Sequence, residues 1–373
     1  GNSRSDGNLT NQLRFESETE IKEFSDSYVL ISSKKRHIEY SANELTITFK
    51  NDSNQMLAVD LRALNDGVAF RYRFPESDES LYTVTGEKTS FKIPMPGKAW
   101  IHPYDTVTKY TPAYETYYTN GSEIGDNSPG GQGWAFPALF ETQNAWVLIT
   151  ESNLGDNFYG GHLQPIVVDG TYVIRLPEKE EAMGTCVQEP SATLPWIMPW
   201  RVIMVSDNLE SMVESTIVQD LADPNIVDDL SWIKPGKASW SWWSDHDSPQ
   251  DYEKLVEFVD LAADMGWEYT LIDANWNIMK RGNLEKLVQY TLSKGVDPLV
   301  WYNSGGPHNE VGEQLRDAMH IKERRREEFA KLKELGVKGI KVDFFQSDKP
   351  DIIKQYHDIL KDAMEYQIPV SYT

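Results

Sequence analysis

The alternation of apolar and polar positions changes character once along this chain. Up to about residue 225 the rhythm has a period of two. Val68, Phe70, Tyr72 and Phe74 alternate with Ala69, Arg71 and Arg73, a pattern that gives a strand one dry face and one wet face. Asn65-Asp66-Gly67 precedes them and reads as a hairpin turn. Residues 146–150, 172–176 and 200–205 read as further strands, with turn residues at short intervals. The first part is therefore expected to be a large antiparallel β-sandwich.

From about Ser231 short apolar strands alternate with helices. Leu255, Val259, Ala262 and Ala263 fall at helical spacing, as do Ile352, Ile353, Tyr356, Ile359 and Leu360. Glycine closes a helix before a strand at Gly266, Gly295 and Gly336, where a left-handed cap favours it. Asp273, Asn303 and Asp343 each follow one of these glycines by seven or eight residues. Three equivalent strand ends thus present a polar side chain. Trp242, Trp243 and Asp245 join them from a first strand at 238–244. Regular βα units predict a parallel sheet, open or closed. In a closed barrel the chemistry sits at the C-terminal strand ends. A doubly wound sheet is the rival reading, but no Gly-rich phosphate loop follows the first strand. Four strand–helix units and a fifth strand at 368–372 can be counted. A barrel needs eight strands, so the sequence is expected to be part of a longer protein.

The strand at 339–345 carries the chemistry. Lys341 and Asp343 share one face of an otherwise apolar segment, because side chains alternate along a strand. An ammonium beside a carboxylate favours the ionised form that a nucleophile needs. A structural ion pair is the plainer alternative. Trp301 and Asn303 share a face in the same way. Asn303 offers donors and an acceptor suited to hydroxyl groups, and Trp301 reads as a core residue or as a second side chain presented beside it. Asp273 is read as a polar residue of the strand-end rim. His246 and His308 read as solvated loop histidines. The run 322–328 mixes signs and reads as the wet face of a helix with i,i+4 pairs.

The net charge is −22, from 58 acidic and 36 basic residues. Such a field repels phosphate backbones and argues against nucleic acid as a partner, while a neutral glycan is compatible with it. Cys186 is the single cysteine, which excludes an internal disulfide and a Cys-rich zinc site. No apolar run is long enough to span a membrane. Oligomeric state is not legible. The polar opening without Met fits a trimmed secreted or periplasmic bacterial protein.

Several motifs resemble glycoside hydrolase family 97, bacterial enzymes that act on α-linked sugars. They are Tyr114-Glu115 followed by Gly133-Trp134-Ala135-Phe136-Pro137, the run at 147–154, Pro199-Trp200-Arg201, Ser239-Trp240-Ser241-Trp242-Trp243, the run at 299–303, and the run at 336–344. The resemblance covers nearly the whole chain. It implies a multidomain β plus α/β protein: an N-terminal β-super-sandwich over 1–228 and a catalytic (β/α)8 barrel over 229–373, truncated after about its fifth strand. It also implies the retaining, α-galactosidase-like branch, in which the Asp matching Asp343 is the nucleophile; inverting α-glucosidase members lack it. Lys341, Asp273, Asn303 and Trp301 are then expected to bind substrate, a glycoside or oligosaccharide. A Glu on a later strand, past Thr373, is the implied acid/base. A Ca²⁺ held by carboxylates is implied too, with Glu115 as the candidate ligand and Glu151 as the second choice. Rival readings are an α-glucosidase, an arabinopyranosidase or another α-glycosidase, and a carbohydrate-binding fragment without catalysis. Alone, residues 1–373 are expected to be inactive and poorly soluble, since a half barrel exposes strand edges.

Overall fold

A computed structural model describes residues 1–372. The chain forms two compact units. The first is Gly1–Pro224 together with Ser347–Lys354, and the second is Asn225–Gln346 with the residues from Gln355 on.

The first unit is antiparallel β-structure. The longest path through its main sheet runs Thr119–Glu123, Gly97–Ile101, Ala138–Thr142, Trp146–Ser152, Trp200–Ser206, Gly67–Glu87, Met56–Leu64, His37–Lys50 and Arg14–Glu18. Leu64 pairs with Gly67, so Asn65-Asp66 make the expected two-residue hairpin. The wet face expected on the strand Gly67–Glu87 is not there. Arg71 and Arg73 both pair with Asp60, and the Arg71 guanidinium lies 4.4 Å from the centre of the Trp200 ring. Ala69 is buried. Over residues 69–76 both faces of this strand are at least partly covered, and the arginines cover their side with alkyl stem and planar head. Phe74, Trp196, Phe158 and Tyr159 form the middle of one core cluster. Each such side chain contributes roughly 1.5–3 kcal/mol when fully buried.

Charged groups are also set into this interior. Arg201 is 1% exposed. Its Nε and Nη2 donate to the two Glu87 oxygens at 3.0 and 2.6 Å, and its Nη1 donates to Glu151. Glu87 accepts a third bond from the Tyr159 hydroxyl, and Glu151 accepts one from the Gly161 amide. Ser347–Lys354 is fastened into the same unit. Lys349 Nζ donates to the carbonyls of Lys179, Glu181 and Cys186 at 2.8, 2.7 and 3.3 Å. The Ser347 hydroxyl donates to Glu181, Asp348 takes the Tyr114 hydroxyl, and the Gly160 amide donates to the Asp348 carbonyl. A side chain at Gly160 would collide with Asp348.

The second unit contains five parallel strands: β1 (Ala238–Trp240), β2 (Tyr269–Ile272), β3 (Asp297–Asn303), β4 (Gly339–Asp343) and β5 (Val370–Tyr372). They lie side by side in sequence order, and among the described residues no strand is inserted out of turn. The intervening helices are α1 (Tyr252–Met265), α2 (Leu284–Ser293), α3 (Lys322–Leu335) and α4 (Pro350–Tyr366). Asp251 caps α1 by accepting the Glu253 and Lys254 amides, and Asn283 caps α2 through the Lys286 amide.

The three expected glycines have φ of +64°, +74° and +90° at Gly266, Gly295 and Gly336. Each is followed by a bond that returns to the last helical turn: Trp267 to Ala262, Val296 to Thr291, Val337 to Leu332. A fourth copy ends α4, where Ile368 bonds back to Ala363 and Gln367 takes φ +55°. The charged run of α3 is not laced by i,i+4 pairs. Arg325, 2% exposed, and Arg326 instead reach across to Asp362, and Arg326 also to Glu365.

Two hydrogen bonds fix which sheet face the helices cover. Ser239 Oγ donates to the Phe258 carbonyl in α1, and the Tyr302 hydroxyl donates to Glu328 in α3, both at 2.8 Å. Ile340 and Val342 are buried on that side. Alternation and the parallel register, with Trp301 beside Lys341 and Asn303 beside Asp343, send Trp240, Trp301, Asn303, Lys341 and Asp343 to the opposite face.

Candidate active site

On the face away from the helices, three charged side chains meet near the C-terminal strand ends. Lys341 Nζ lies 3.5 Å from Asp343 Oδ2 and 3.7 Å from Asp273 Oδ2. Two indoles complete the arrangement. Trp240 Nε1 donates to Asp273 Oδ2 at 2.6 Å, and Trp301 Nε1 donates to Asp343 Oδ2 at 3.1 Å. Lys341 Nζ also sits 4.6 Å from the centre of the Trp240 ring, a cation–π distance. Each carboxylate is held at its other oxygen by the next backbone amide, Ala274 for Asp273 and Phe344 for Asp343.

The two carboxylates differ in access. The Asp273 side chain is 3% exposed and that of Asp343 is 19%. Burial pushes the Asp273 carboxyl above its ordinary range, against the pull of Lys341, the Ala274 amide and the Trp240 indole. Asp343 keeps an open side in a fixed orientation, the geometry a nucleophile needs.

Two sequence expectations change here. Asn303 is fully buried. Its amide nitrogen donates to the carbonyls of Val311 and Glu313, and its oxygen accepts from the Gly305 amide and Asn309. The loop at 304–321 thus uses all its polar capacity, so Asn303 organises that loop and is not a sugar contact. Trp301 is 1% exposed and offers no face to a ring; its contribution is the indole N–H that orients Asp343. His308 is not solvated: it is buried beside Ser304, 3.2 Å away, and burial with the nearby His320 and Arg316 charges pushes its pKa down to about 4. Trp240 was not foreseen as a site residue. Its signal lay in the register, since it pairs with Leu271, two residues before Asp273 on the same face.

The implied metal finds little support in this chain's own residues. Glu115 is exposed, and Glu151 is already engaged by Arg201 and the Gly161 amide. Among the described residues no group of three or more His, Cys, Asp or Glu side chains is placed to hold a metal ion. The residues present do not fit a calcium site by themselves.

Comparison with known proteins decides the family. Residues 3–224 match the glycosyl-hydrolase 97 N-terminal family, and residues 232–372 match the glycoside hydrolase 97 family. The chain belongs to glycoside hydrolase family 97. A protein of Streptomyces bingchenggensis named a probable retaining alpha-galactosidase is 28% identical over 364 residues, which are 93% of this chain and 51% of that protein. The chain thus spans about half the length of the curated relatives it matches. The crystal structure of a beta-arabinopyranosidase superposes with a TM-score of 0.93 at 32% identity, over 100% of this chain and 60% of that one. A family 97 enzyme of Pseudoalteromonas sp. strain K8, solved with acarbose, shares the fold at a TM-score of 0.79 and 18% identity, over 97% and 58%. No helix of the described residues is long and apolar enough to cross a membrane.

Proposed function

We propose that this chain carries the nucleophile of a retaining exo-glycosidase that removes terminal α-galactosyl groups. The five strands are, on this reading, the first five of a (β/α)8 barrel, because parallel strands in unbroken sequence order are how a barrel begins. One observation carries the reading: Asp343 is partly open at its strand end, while Trp301 and Lys341 hold one of its oxygens. Its carboxylate attacks the anomeric carbon, the glycosidic C–O bond breaks, and a glycosyl ester forms. A second carboxylic acid, not assigned to any of residues 1–373, gives the leaving oxygen its proton. The resulting carboxylate then takes a proton from water, and that water cleaves the ester. Lys341 can donate to a sugar hydroxyl. Asp273, tied to Trp240 and Lys341, sets where Lys341 sits. Calcium would need ligands besides Glu115, and no step passes through it. On this reading residues 1–373 alone are inactive, for want of the proton donor.

The likeness to a beta-arabinopyranosidase supports a second substrate. A β-L-arabinopyranoside has the ring hydroxyl arrangement of an α-D-galactoside and lacks only its hydroxymethyl group, so one pocket contact separates them. The test compares nitrophenyl α-galactoside, β-L-arabinopyranoside and α-glucoside with the full-length protein. Preference for the galactoside and retention at the anomeric centre are expected. Preference for the glucoside, or inversion, overturns the reading. Preference for the arabinoside selects the second substrate with the same nucleophile.

A further inference from the structure

Trp243 lies three residues past the end of β1 and is 81% exposed. A single exposed apolar side chain is ordinary. This one is held rigidly and joins the site just described. The turn beneath it is closed by the Ser244 and Asp245 amides on the Ser241 carbonyl at 3.0 and 3.1 Å. Ser248 Oγ fastens the turn again through Ser241 Oγ at 2.7 Å, and both serines are buried. Trp242 is stacked on His246, with ring centres 4.7 Å apart. Trp243 packs against Trp240 at 4.9 Å, with the rings tilted by 44°. Trp240 in turn bonds Asp273 and lies against Lys341, which is 3.5 Å from Asp343. A continuous row of contacts therefore leads from the candidate nucleophile to an indole in water.

We infer that Trp243 is the platform for the leaving-group sugar, stacking on the ring directly beyond the scissile bond. This rests on the glycosidase reading of Asp343. With the terminal sugar over Asp343 and Lys341, the rest of the substrate must run outward, and Trp243 lies outward of Trp240 in that row. An indole offers a wide apolar face to the C–H face of a pyranose and an N–H to its hydroxyls. A ligand that is neutral and saccharide suits a chain with a net charge of −22. Binding a remote ring in this way raises turnover of glycosides whose leaving group is a sugar.

The experiment uses the full-length protein and two substrates with the same galactosyl group: melibiose, whose leaving group is glucose, and α-galactosyl fluoride, whose leaving group has no ring. The readout is the ratio of their kcat/KM values. Trp243→Ala is expected to lower the melibiose-to-fluoride ratio about tenfold, and Trp243→Phe to keep most of it. An unchanged ratio in an active protein overturns the subsite alone. An equal loss on both substrates also overturns it, because Trp243 then acts through Trp240 and Asp273 and not on the leaving group. A wild-type protein that cleaves neither substrate removes the galactosidase reading itself, and the subsite with it.

Discussion

Each unit of this protein sets one cation between two carboxylates, and the two triads are built to opposite ends. In the first unit Arg201 is flanked by Glu87 and Glu151, in the second Lys341 by Asp273 and Asp343. Arg201 and Glu87 meet through two parallel bonds of 2.6 and 3.0 Å, and both side chains are 1% exposed. Lys341 stands off at 3.5 and 3.7 Å, and Asp343 keeps 19% of its side chain open. The planar guanidinium engages both oxygens of Glu87 and locks it. The ammonium is a point charge that biases its neighbours and leaves lone pairs unused. A carboxylate enclosed by its neighbours cannot attack anything; Asp343, oriented at both oxygens but open on one side, can. On the proposed function the same charge pattern is structural in one place and chemical in the other.

The largest effect should come from the open triad. Replacing Asp343 by Ala in the full-length protein is expected to lower kcat by on the order of 10⁴-fold or more, with the melting temperature nearly unmoved. Added azide should restore part of the turnover by replacing the missing nucleophile. Turnover equal to wild type would take Asp343 out of the mechanism and favour a binding role for the chain. The closed triad should respond the other way. Replacing Arg201 by Met leaves Glu87 buried and Glu151 half-buried without their cation, at a cost of about 3–5 kcal/mol of stability, to be read from urea unfolding. A loss under 1 kcal/mol would mean the two triads differ less than their geometry says.

A finer cut exchanges the two cations' character. Lys341→Arg keeps the charge but puts a rigid fork where a point charge stood. We expect a loss of about 10²-fold in kcat/KM from the displaced Asp343, with stability within about 0.5 kcal/mol of wild type. If stability falls while kcat/KM holds, Lys341 is a structural cation after all.

How much of this contrast could be read beforehand depends on how local the signal is. The Lys341–Asp343 pair was legible because alternation along one strand places both on one face. The helix–glycine–strand repeat was legible at Gly266, Gly295 and Gly336, since glycine marks a left-handed cap. The fourth copy escaped notice because Gln367 occupies the glycine's place, and a β-carbon there tolerates φ +55° at roughly 1–2 kcal/mol. Asn303 was misread because its partners come from a loop that folds back over the strand end, a contact no strand periodicity encodes. The Arg201 triad was invisible for the same reason at longer range. Glu87, Glu151 and Arg201 lie on three strands far apart in sequence, and only the sheet order brings them together. The attachment of Ser347–Lys354 to the first unit was likewise hidden, because nothing in that short segment's composition departs from its neighbours.

Asp348 offers the most graded test, since it is a carboxylate held without the enclosing cation of either triad. Its partner is the Tyr114 hydroxyl. Burial, together with the nearby charges of Glu181 and Glu151, pushes its pKa up to about 7 from an ordinary 3.8. The folded chain then keeps a proton that the unfolded chain releases between about pH 4 and pH 7. This contribution to stability is whole at low pH, falls as pH rises through that window, and is level above it. The Tyr114 side of the site is open, with that residue 46% exposed, so solvent screens the charge and the fall should be shallower than the shift alone implies. Asp348→Asn carries no titrating group and should lose this component. Its stability relative to wild type should therefore rise between pH 5 and pH 8, measured by urea unfolding at each pH. Parallel profiles for the two proteins would mean that Asp348 is already ionised at pH 5, and that tyrosine hydroxyls can do for a half-buried carboxylate what Arg201 does for Glu87.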